Sequence, residues 1–441
     1  MRSTRTRLRV VGTALATALA LTTGSVFAVG AQAADNPRQG EWYLDALHLP
    51  EIWQTSTGNG ITVAIIDTGV KADHPDLVGQ LLPGKDFSGL SGGPEVDPDG
   101  HGTGMASIIA GSGKGFDGNG VKGLAPGARI LPIKIDSSRD PSKMLPPPAF
   151  LKQVDQAITY AVDQGAQVIN ISQAVRSVDI SPADVADLQT AVNYAISKGR
   201  LVVAGAGNSG QEGNPVMYPA DVPGVAAVAA HDHNGSATSE SEHGKYVALA
   251  APGVDTVEAC IGSSGYCQAH GTSDSTAMVS ASAALVWSLH PSWTGNQVLK
   301  VLIDTANKPN DGGQHSDYIG FGNISPRTAV QYTGDPGPAD VNPLVAAGIS
   351  VTPPASEFLP GTASSASVAA TPTPAPATTH PGTGALPGPA QAGAGPASGS
   401  GALPLVLGGA LAALLVLALV IVLVVRRNRM NSTGQPPYGQ S

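Results

Sequence analysis

The stretch Ile65-Ile66-Asp67-Thr68-Gly69-Val70 decides the fold, because a short apolar run ends there on a carboxylate followed by a glycine turn. Similar runs recur along the chain, and amphipathic stretches lie between several of them, the clearest extending from after Pro148 to Gln164. The runs are Ile61–Ile66, Ala128–Ile135, Ala166–Ile171, Arg200–Ala206, Val225–Ala230 and Tyr246–Ala250. Continuous apolar strands alternating with helices predict an α/β fold with a mostly parallel central sheet and helices on both faces.

In such folds the chemistry lies where strands end and helices begin. Asp67 ends the first run, and Asn208 follows another run through Gly205-Ala206-Gly207. His101, in Asp99-Gly100-His101-Gly102, begins a predicted helix, and Ser273 precedes a second one over Thr276–Leu289. Each residue alone has a structural interpretation as a turn, an exposed histidine or a helix cap. Together, a carboxylate, an imidazole, an amide and a hydroxyl indicate nucleophilic catalysis, in which a base removes the proton of a serine.

This order of residues resembles the subtilisin-like serine peptidases (the subtilase family) from roughly Trp42 to Gly334. The resemblance implies a three-layer subtilisin-like fold, a catalytic triad of Asp67, His101 and Ser273, and an oxyanion donor at Asn208. It implies no cofactor. The substrate-binding residues that it implies are Ser172, Gln173, Ala174, Gly205, Ala206 and Gly207.

Three residues depart from the pattern of that family. Asp274 directly follows the nucleophile, where an apolar residue is usual, and Ala277 replaces a proline. A negative charge near a developing oxyanion opposes catalysis, so we expect reduced activity. Ala174 replaces a glycine and adds a methyl group where a substrate backbone approaches, which favours a narrow substrate range.

The chain has two cysteines, Cys260 and Cys267, which lie shortly before the nucleophile. In an exported protein a disulfide is the expected state, and two free thiols are the alternative. We find no cluster of cysteines and histidines with metal-ligand spacing. Asp117-Gly118-Asn119-Gly120 fits part of a calcium loop, although a plain turn is the favoured interpretation.

Both ends of the 441-residue chain are apolar and basic. Four arginines precede an uncharged segment ending in Ala31-Gln32-Ala33, which predicts a signal peptide over residues 1–33. An uncleaved anchor helix is the alternative. Near the other end, residues 403–425 are long and apolar enough for a transmembrane helix, and Arg426, Arg427 and Arg429 follow. A buried core helix is the alternative there.

These ends predict the organisation of the whole chain. The peptidase domain covers residues 34–334, with an N-terminal extension at 34–54, and a Pro/Ala/Gly/Thr-rich linker covers 335–402. Residues 426–441 form a cytoplasmic tail, since positive charge remains inside. We therefore expect a single-pass protein of the cell membrane whose peptidase domain is extracellular.

The anchor, the linker and the short N-terminal segment make the chain most similar to the mycosins, membrane-anchored subtilases associated with type VII secretion. The leading hypothesis is a serine endopeptidase that cleaves few protein substrates and contacts a secretion membrane complex. The alternative is a structural component of such a complex that needs little or no proteolysis. All 33 acidic residues lie between the two basic ends, which argues against a nucleic-acid partner.

Overall fold

The computed structural model describes residues 36–137 and 144–349. Seven parallel strands form its central sheet in the order β2-β3-β1-β4-β6-β8-β9. Two antiparallel pairs, β5–β7 and β10–β11, lie outside that sheet. The strands are β1 Thr62–Asp67, β2 Lys85–Asp86, β3 Arg129–Lys134, β4 Val168–Ile171, β5 Val175–Arg176, β6 Leu201–Gly205, β7 Met217–Tyr218, β8 Ala226–His231, β9 Val247–Pro252, β10 Thr256–Ala259 and β11 Tyr266–Ala269. The predicted α/β class is confirmed.

Helices cover both faces of the sheet because the strands bury side chains on both sides. In β1, Val63 and Ile65 join one apolar core, while Ala64 and Ile66 join another. The first core includes residues of α4, α8 and α9, and the second includes residues of α6 and α7. The helices are α1 Pro37–Gly40, α2 Trp42–Ala46, α3 Leu49–Ile52, α4 His101–Ala110, α5 Gly115–Gly118, α6 Pro147–Asp163, α7 Pro182–Ser197, α8 Thr272–Leu289, α9 Gly295–Thr305, α10 Pro326–Val330 and α11 Pro343–Ala346.

Helix α8 is the central helix of the first core. Nearly every residue of it is buried, and most of these side chains are Ala, Ser, Thr or Val. Such small side chains let the helix lie close to several strands at once, and it packs on β4, β6, β8 and β9. The helix begins at Thr272, earlier than the predicted start at Thr276, so Ser273 lies in its first turn.

Residues 36–54 pack against the hairpin β10–β11. The Tyr43 hydroxyl donates to the carbonyl of Val257 at 2.8 Å, and the Trp42 indole donates to the carbonyl of Val254 at 3.0 Å. Glu41 is buried, and burial raises its pKa to about 8 despite the ion pair with Arg38 at 2.7 Å. The N-terminal segment thus packs against this hairpin and stabilises it.

Packing on the domain also extends beyond residue 334, where the linker was predicted to begin. The carbonyl of Ala339 accepts hydrogen bonds from Thr294 and Asn296 at the start of α9, and Leu344 of α11 is buried. The segment after residue 334 is rich in Pro and Gly, as a linker would be. Its backbone carbonyls nevertheless accept hydrogen bonds from side-chain hydroxyl and amide groups at the start of α9. Packing on the domain therefore continues through residues 335–349.

The remaining predictions about the two ends fall outside the described residues. The signal peptide over 1–33, the span over 403–425 and the tail over 426–441 all belong to this group. Within 36–137 and 144–349, no helix combines the length and apolar character needed to cross a bilayer.

Candidate active site

Asp67 and His101 form the centre of the site. The Nδ1 atom of His101 lies 2.8 Å from Oδ1 and 3.0 Å from Oδ2 of Asp67, whose side chain is fully buried. Burial opposes ionisation of this carboxyl, but the charge and hydrogen bond of His101, with hydrogen bonds from Thr68 and Gln173, hold the pKa of Asp67 below its usual value. An ionised Asp67 keeps the proton of the imidazole on Nδ1 and leaves Nε2 free of a proton to act as a base.

The start of α4 fixes where His101 lies. A Cβ at Gly102 would lie 2.1 Å from the carbonyl oxygen of Gly69, so only glycine lets the helix begin this close to the end of β1. The carboxylate of Asp97 accepts hydrogen bonds from the amides of Gly100 and Thr103 and from the hydroxyl of Thr68. Asp97 therefore ties the first turn of α4 to the turn after Asp67.

Ser273 is held at the end of β4 by a reciprocal pair of contacts with Ser172. The Ser273 hydroxyl donates to the carbonyl of Ser172 at 3.1 Å, and the Ser172 hydroxyl donates to the carbonyl of Ser273 at 3.1 Å. Asn170 extends this connection, since it donates to Ser172 and accepts from Ser280 of α8. The nucleophile predicted from the sequence thus lies where a central strand meets the buried helix.

Asn208 is oriented by the same first turn of α8. Its Oδ1 accepts from the backbone amide of Thr272 at 2.9 Å and from the Thr272 hydroxyl at 3.0 Å. With Oδ1 engaged, Nδ2 is the end of the side chain that can donate to a ligand. A preorganised amide donor beside a nucleophile is the arrangement required for stabilising an oxyanion.

A cavity of about 690 Å³ joins these groups. Its lining includes His101, Ser273 and Asn208 together with Ser172, Gln173, Ala174, Gly205 and Gly207. Ala206, which was predicted with them, is buried with Ala229, Val247 and Ala250 instead. Gly205 and Gly207 line the cavity, whereas the side chain of Ala206 packs in this small core.

The hairpin β10–β11 forms the opposite wall. The structure joins Cys260 to Cys267 across its turn, with a Cα–Cα distance of 5.9 Å, which confirms the predicted disulfide. Both cysteines line the cavity, as do Glu258 and His270. A hydrogen bond with Glu240 raises the pKa of His270.

Asp274 lies in the first turn of α8, lines the cavity and is 1% exposed. Its carboxyl contacts the hydroxyl of Thr256, and that hydroxyl also lies 2.9 Å from the carbonyl of Ala269. Burial raises the pKa of Asp274, although the hydrogen bond from Thr256 and the charges of His101 and His270 act to lower it. A raised pKa lessens the expected penalty from a negative charge beside the oxyanion, because a carboxyl carries that charge only when it is ionised.

Two contacts at this site were not predicted from the sequence. Gln173 was predicted to contact substrate and lines the cavity, and its Nε2 also donates to Asp67 at 2.9 Å and lies 2.8 Å from Nδ1 of His101. Asp97 was not singled out, although its position shortly before the predicted helix is a capping signal. No sequence signal could reveal the contact of Gln173, because Asp67 ends β1 and Gln173 follows β4, far apart in the chain.

The segment Asp117-Gly118-Asn119-Gly120, which by sequence fits part of a calcium loop, lies beside a different carboxylate, that of Asp76. Asp76 accepts from the amides of Gly115 and Val121 and from the Tyr266 hydroxyl, at 2.7, 3.0 and 2.8 Å. Asp117 itself is exposed. In the described part of the chain, no group of three or more His, Cys, Asp or Glu side chains is arranged to hold a metal ion.

Comparison with known proteins agrees with this geometry. The model of the subtilase family matches residues 58–322. The chain is a member of the subtilase family. It is 33% identical to Mycosin-1 of Mycolicibacterium smegmatis over 346 residues, covering 69% of this chain and 75% of that protein. As a serine peptidase homologue, the chain is mycosin-like.

Two solved structures are also similar. The serine protease MycP1, described as an essential component of the type VII (ESX-1) secretion system, matches with a TM-score of 0.58 and 32% identity, over 68% of this chain and 91% of that one. A chain of the periplasmic assembly from the ESX-5 inner membrane complex matches with a TM-score of 0.58 and 28% identity, over 78% and 91%. These matches bear out the predicted resemblance to mycosins.

Proposed function

We propose that the chain is a serine endopeptidase in which Ser273 attacks a peptide carbonyl, His101 is the general base and Asp67 orients the imidazole. The observation that carries this proposal is the contact of His101 Nδ1 with the buried Asp67 carboxylate in the cavity that also contains Ser273. His101 would accept the proton of Ser273 and return it to the leaving amine. The Ser273 hydroxyl, which donates to Ser172 in this structure, turns to the imidazole for that step.

The carbonyl oxygen of the substrate becomes negatively charged when Ser273 attacks, and hydrogen-bond donors must lie near it to stabilise that charge. Asn208 Nδ2 and the backbone amide of Ser273 are the groups that we assign to this role. The Asn208 side chain needs little reorganisation to donate to the oxyanion, because Thr272 already holds its Oδ1.

The proposed substrates are few proteins or peptides outside the cell. Ala174 lines the cavity where the related pattern has glycine, so its methyl group restricts the approach of a substrate backbone. The predicted signal peptide, the span over 403–425 and the arginines after it support a single-pass membrane anchor with the peptidase domain outside. The similarity to MycP1 and to the ESX-5 assembly supports a role in type VII secretion.

Labelling with a fluorophosphonate probe tests the catalytic assignment. The full chain, solubilised in detergent, should be labelled, and the Ser273→Ala variant should not. Ser282→Ala is a matched control, because this serine lies on the same helix with its hydroxyl bonded to the carbonyl of Met278 at 2.7 Å, so labelling should persist. Absence of labelling in the folded wild-type protein would contradict the proposal.

The second candidate function is that of a structural component of a secretion complex. The similarity to a chain of the ESX-5 periplasmic assembly is the observation that favours it. The Ser273→Ala variant separates the two functions in cells. Secretion that is lost with Ser273→Ala requires the peptidase, whereas secretion that is lost only on deletion of the chain requires the fold alone.

A further inference from the structure

Gln173 places an amide group against the Asp67–His101 pair. Its Nε2 lies 2.9 Å from Asp67 Oδ1 and 2.8 Å from His101 Nδ1. Its Oε1 accepts a hydrogen bond from the Ser137 hydroxyl, so the amide is held from both ends. The amide nitrogen of Gln173 thus contacts Asp67 and the Nδ1 side of the His101 ring, and this contact is separate from any contact with substrate.

The hydrogen-bond donors and acceptors among Asp67, His101 and Gln173 can be assigned from their contacts. Asp67 Oδ1 receives the amide of Thr68 at 2.8 Å, the imidazole at 2.8 Å and the Gln173 amide. The Gln173 Nε2 group can only donate, so the bond that fits an imidazole protonated on Nδ1 is the bond to Asp67. The two N–H groups of Gln173 and His101 therefore point to one oxygen and lie side by side.

This arrangement weakens the carboxylate as a partner of His101. A carboxylate oxygen that already accepts neutral donors stabilises a neighbouring cation less, because its charge is partly compensated. The amide N–H beside Nδ1 adds a positive partial charge next to the ring that becomes an imidazolium during catalysis. Both effects act in the same direction, against protonation of His101.

We propose that Gln173 is a positioning residue that holds the Asp67 carboxylate in place and thereby lowers the basicity of His101. The inference rests on the proposed peptidase activity and adds a residue to its machinery. Its consequence is a catalytic base that stays unprotonated at more acidic pH, together with a slower proton transfer from Ser273.

The test compares wild type with Gln173→Met and Gln173→Leu, which remove the amide and keep an apolar side chain of similar size. The pH dependence of kcat/KM for a small uncharged ester reports the apparent pKa of the base in the free enzyme. We expect this apparent pKa to rise by about half a unit to one unit in both variants. Titration of the His101 ring by NMR in the Ser273→Ala background should show the same shift without any need for turnover.

The other ionisable groups around His101 stay the same in these comparisons. Asp99, Glu258, His270 and the carboxyl of Asp274 line the cavity with it. His270 is paired with Glu240. A shift confined to the Gln173 variants therefore belongs to the amide and not to these neighbours.

Two further variants separate this role from a structural one. Ser137→Ala releases only the Oε1 end of the amide and should give a smaller shift in the same direction, which keeps the test available if the Gln173 variants do not fold. Gln153→Met is the matched control, because Gln153 bonds the amide of Asp136 nearby without contacting Asp67. It should leave the apparent pKa unchanged.

An unchanged His101 pKa in the folded Gln173 variants, with only KM raised, would overturn the inference and make Gln173 a substrate contact. Wild-type protein that shows no fluorophosphonate labelling would instead contradict the proposed function. The NMR titration of His101 still decides the role of Gln173 in that case, so the two failures can be told apart.

Discussion

Asp67 and Asp76 are two fully buried carboxylates with different neighbours. Asp67, at the end of β1, faces the ring of His101, a group that exchanges protons near neutral pH. Asp76 faces two backbone amides and the hydroxyl of Tyr266, none of which gains or loses a proton in that range. Because both carboxylates are buried, each needs its hydrogen-bond partners in place of water. Only the partner of Asp67, the ring of His101, can transfer a proton.

The difference shows that burial by itself does not identify a functional acid. A carboxylate surrounded by neutral donors ties distant segments together, as Asp76 joins residues 115 and 121 to β11. A carboxylate beside a titratable ring changes what that ring can do. The variants below test this distinction, from the largest expected effect to the smallest.

Asp67→Asn should reduce kcat by about 10⁴-fold, because an amide cannot hold the imidazole in the tautomer that the base requires. Turnover of a peptide ester by the purified protein measures this loss. The far-ultraviolet circular dichroism spectrum should remain unchanged, since asparagine keeps the shape of the side chain. Activity close to wild type would show that Asp67 resembles Asp76 in being structural.

Asp76→Ala should lower the free energy of unfolding by about 3 kcal/mol or more, because two backbone amides and one hydroxyl lose a buried acceptor. Urea unfolding measures the change. Asp117→Asn is the control, since Asp117 is exposed in the same loop and asparagine tolerates its positive φ of 53°. A loss of activity in Asp76→Ala without a loss of stability would contradict the comparison.

Glu242→Gln should stabilise the protein at pH 8 and change little at pH 4. Neither carboxylate oxygen of the buried Glu242 has a hydrogen-bond partner of good geometry, and burial raises its pKa from 4.5 to about 7. Between these two values the folded protein holds a proton that the unfolded chain releases, so stability falls as pH rises. We expect a gain of about 1–2 kcal/mol at pH 8, measured by thermal unfolding. Equal effects at both pH values would show that Glu242 does not titrate in this window.

Asp274→Asn should change kcat/KM by less than about threefold at acidic pH, because the raised pKa favours a neutral carboxyl there, which carries the same charge as the amide. The ratio of variant to wild type should grow at alkaline pH, where the carboxyl ionises and opposes the oxyanion. Initial rates between pH 6 and pH 10 measure this ratio. A ratio that stays the same from pH 6 to pH 10 would contradict this expectation.

Six of the seven strands of the sheet could be predicted, all except the two-residue β2, and so could the order of the site residues, because both follow from local patterns. The run ending at Asp67 and the Gly-rich segments around His101 and Ser273 each carry their signal within a few residues. The burial of Ala206 and the packing of residues 335–349 could not be predicted in this way. They depend on which face of a segment meets the core and on the carbonyls that α9 needs.

The sequence by itself determined that a carboxylate, an imidazole, an amide and a serine would meet at one edge of a parallel sheet, because parallel strands bring their carboxyl ends to the same side. Only the tertiary structure decided what surrounds them. The Gln173 amide reaches Asp67 across 106 residues, and the Asp274 carboxyl reaches Thr256 across 18. Such contacts depend on the register of neighbouring strands and the position where α8 begins, and no local pattern of residues specifies either.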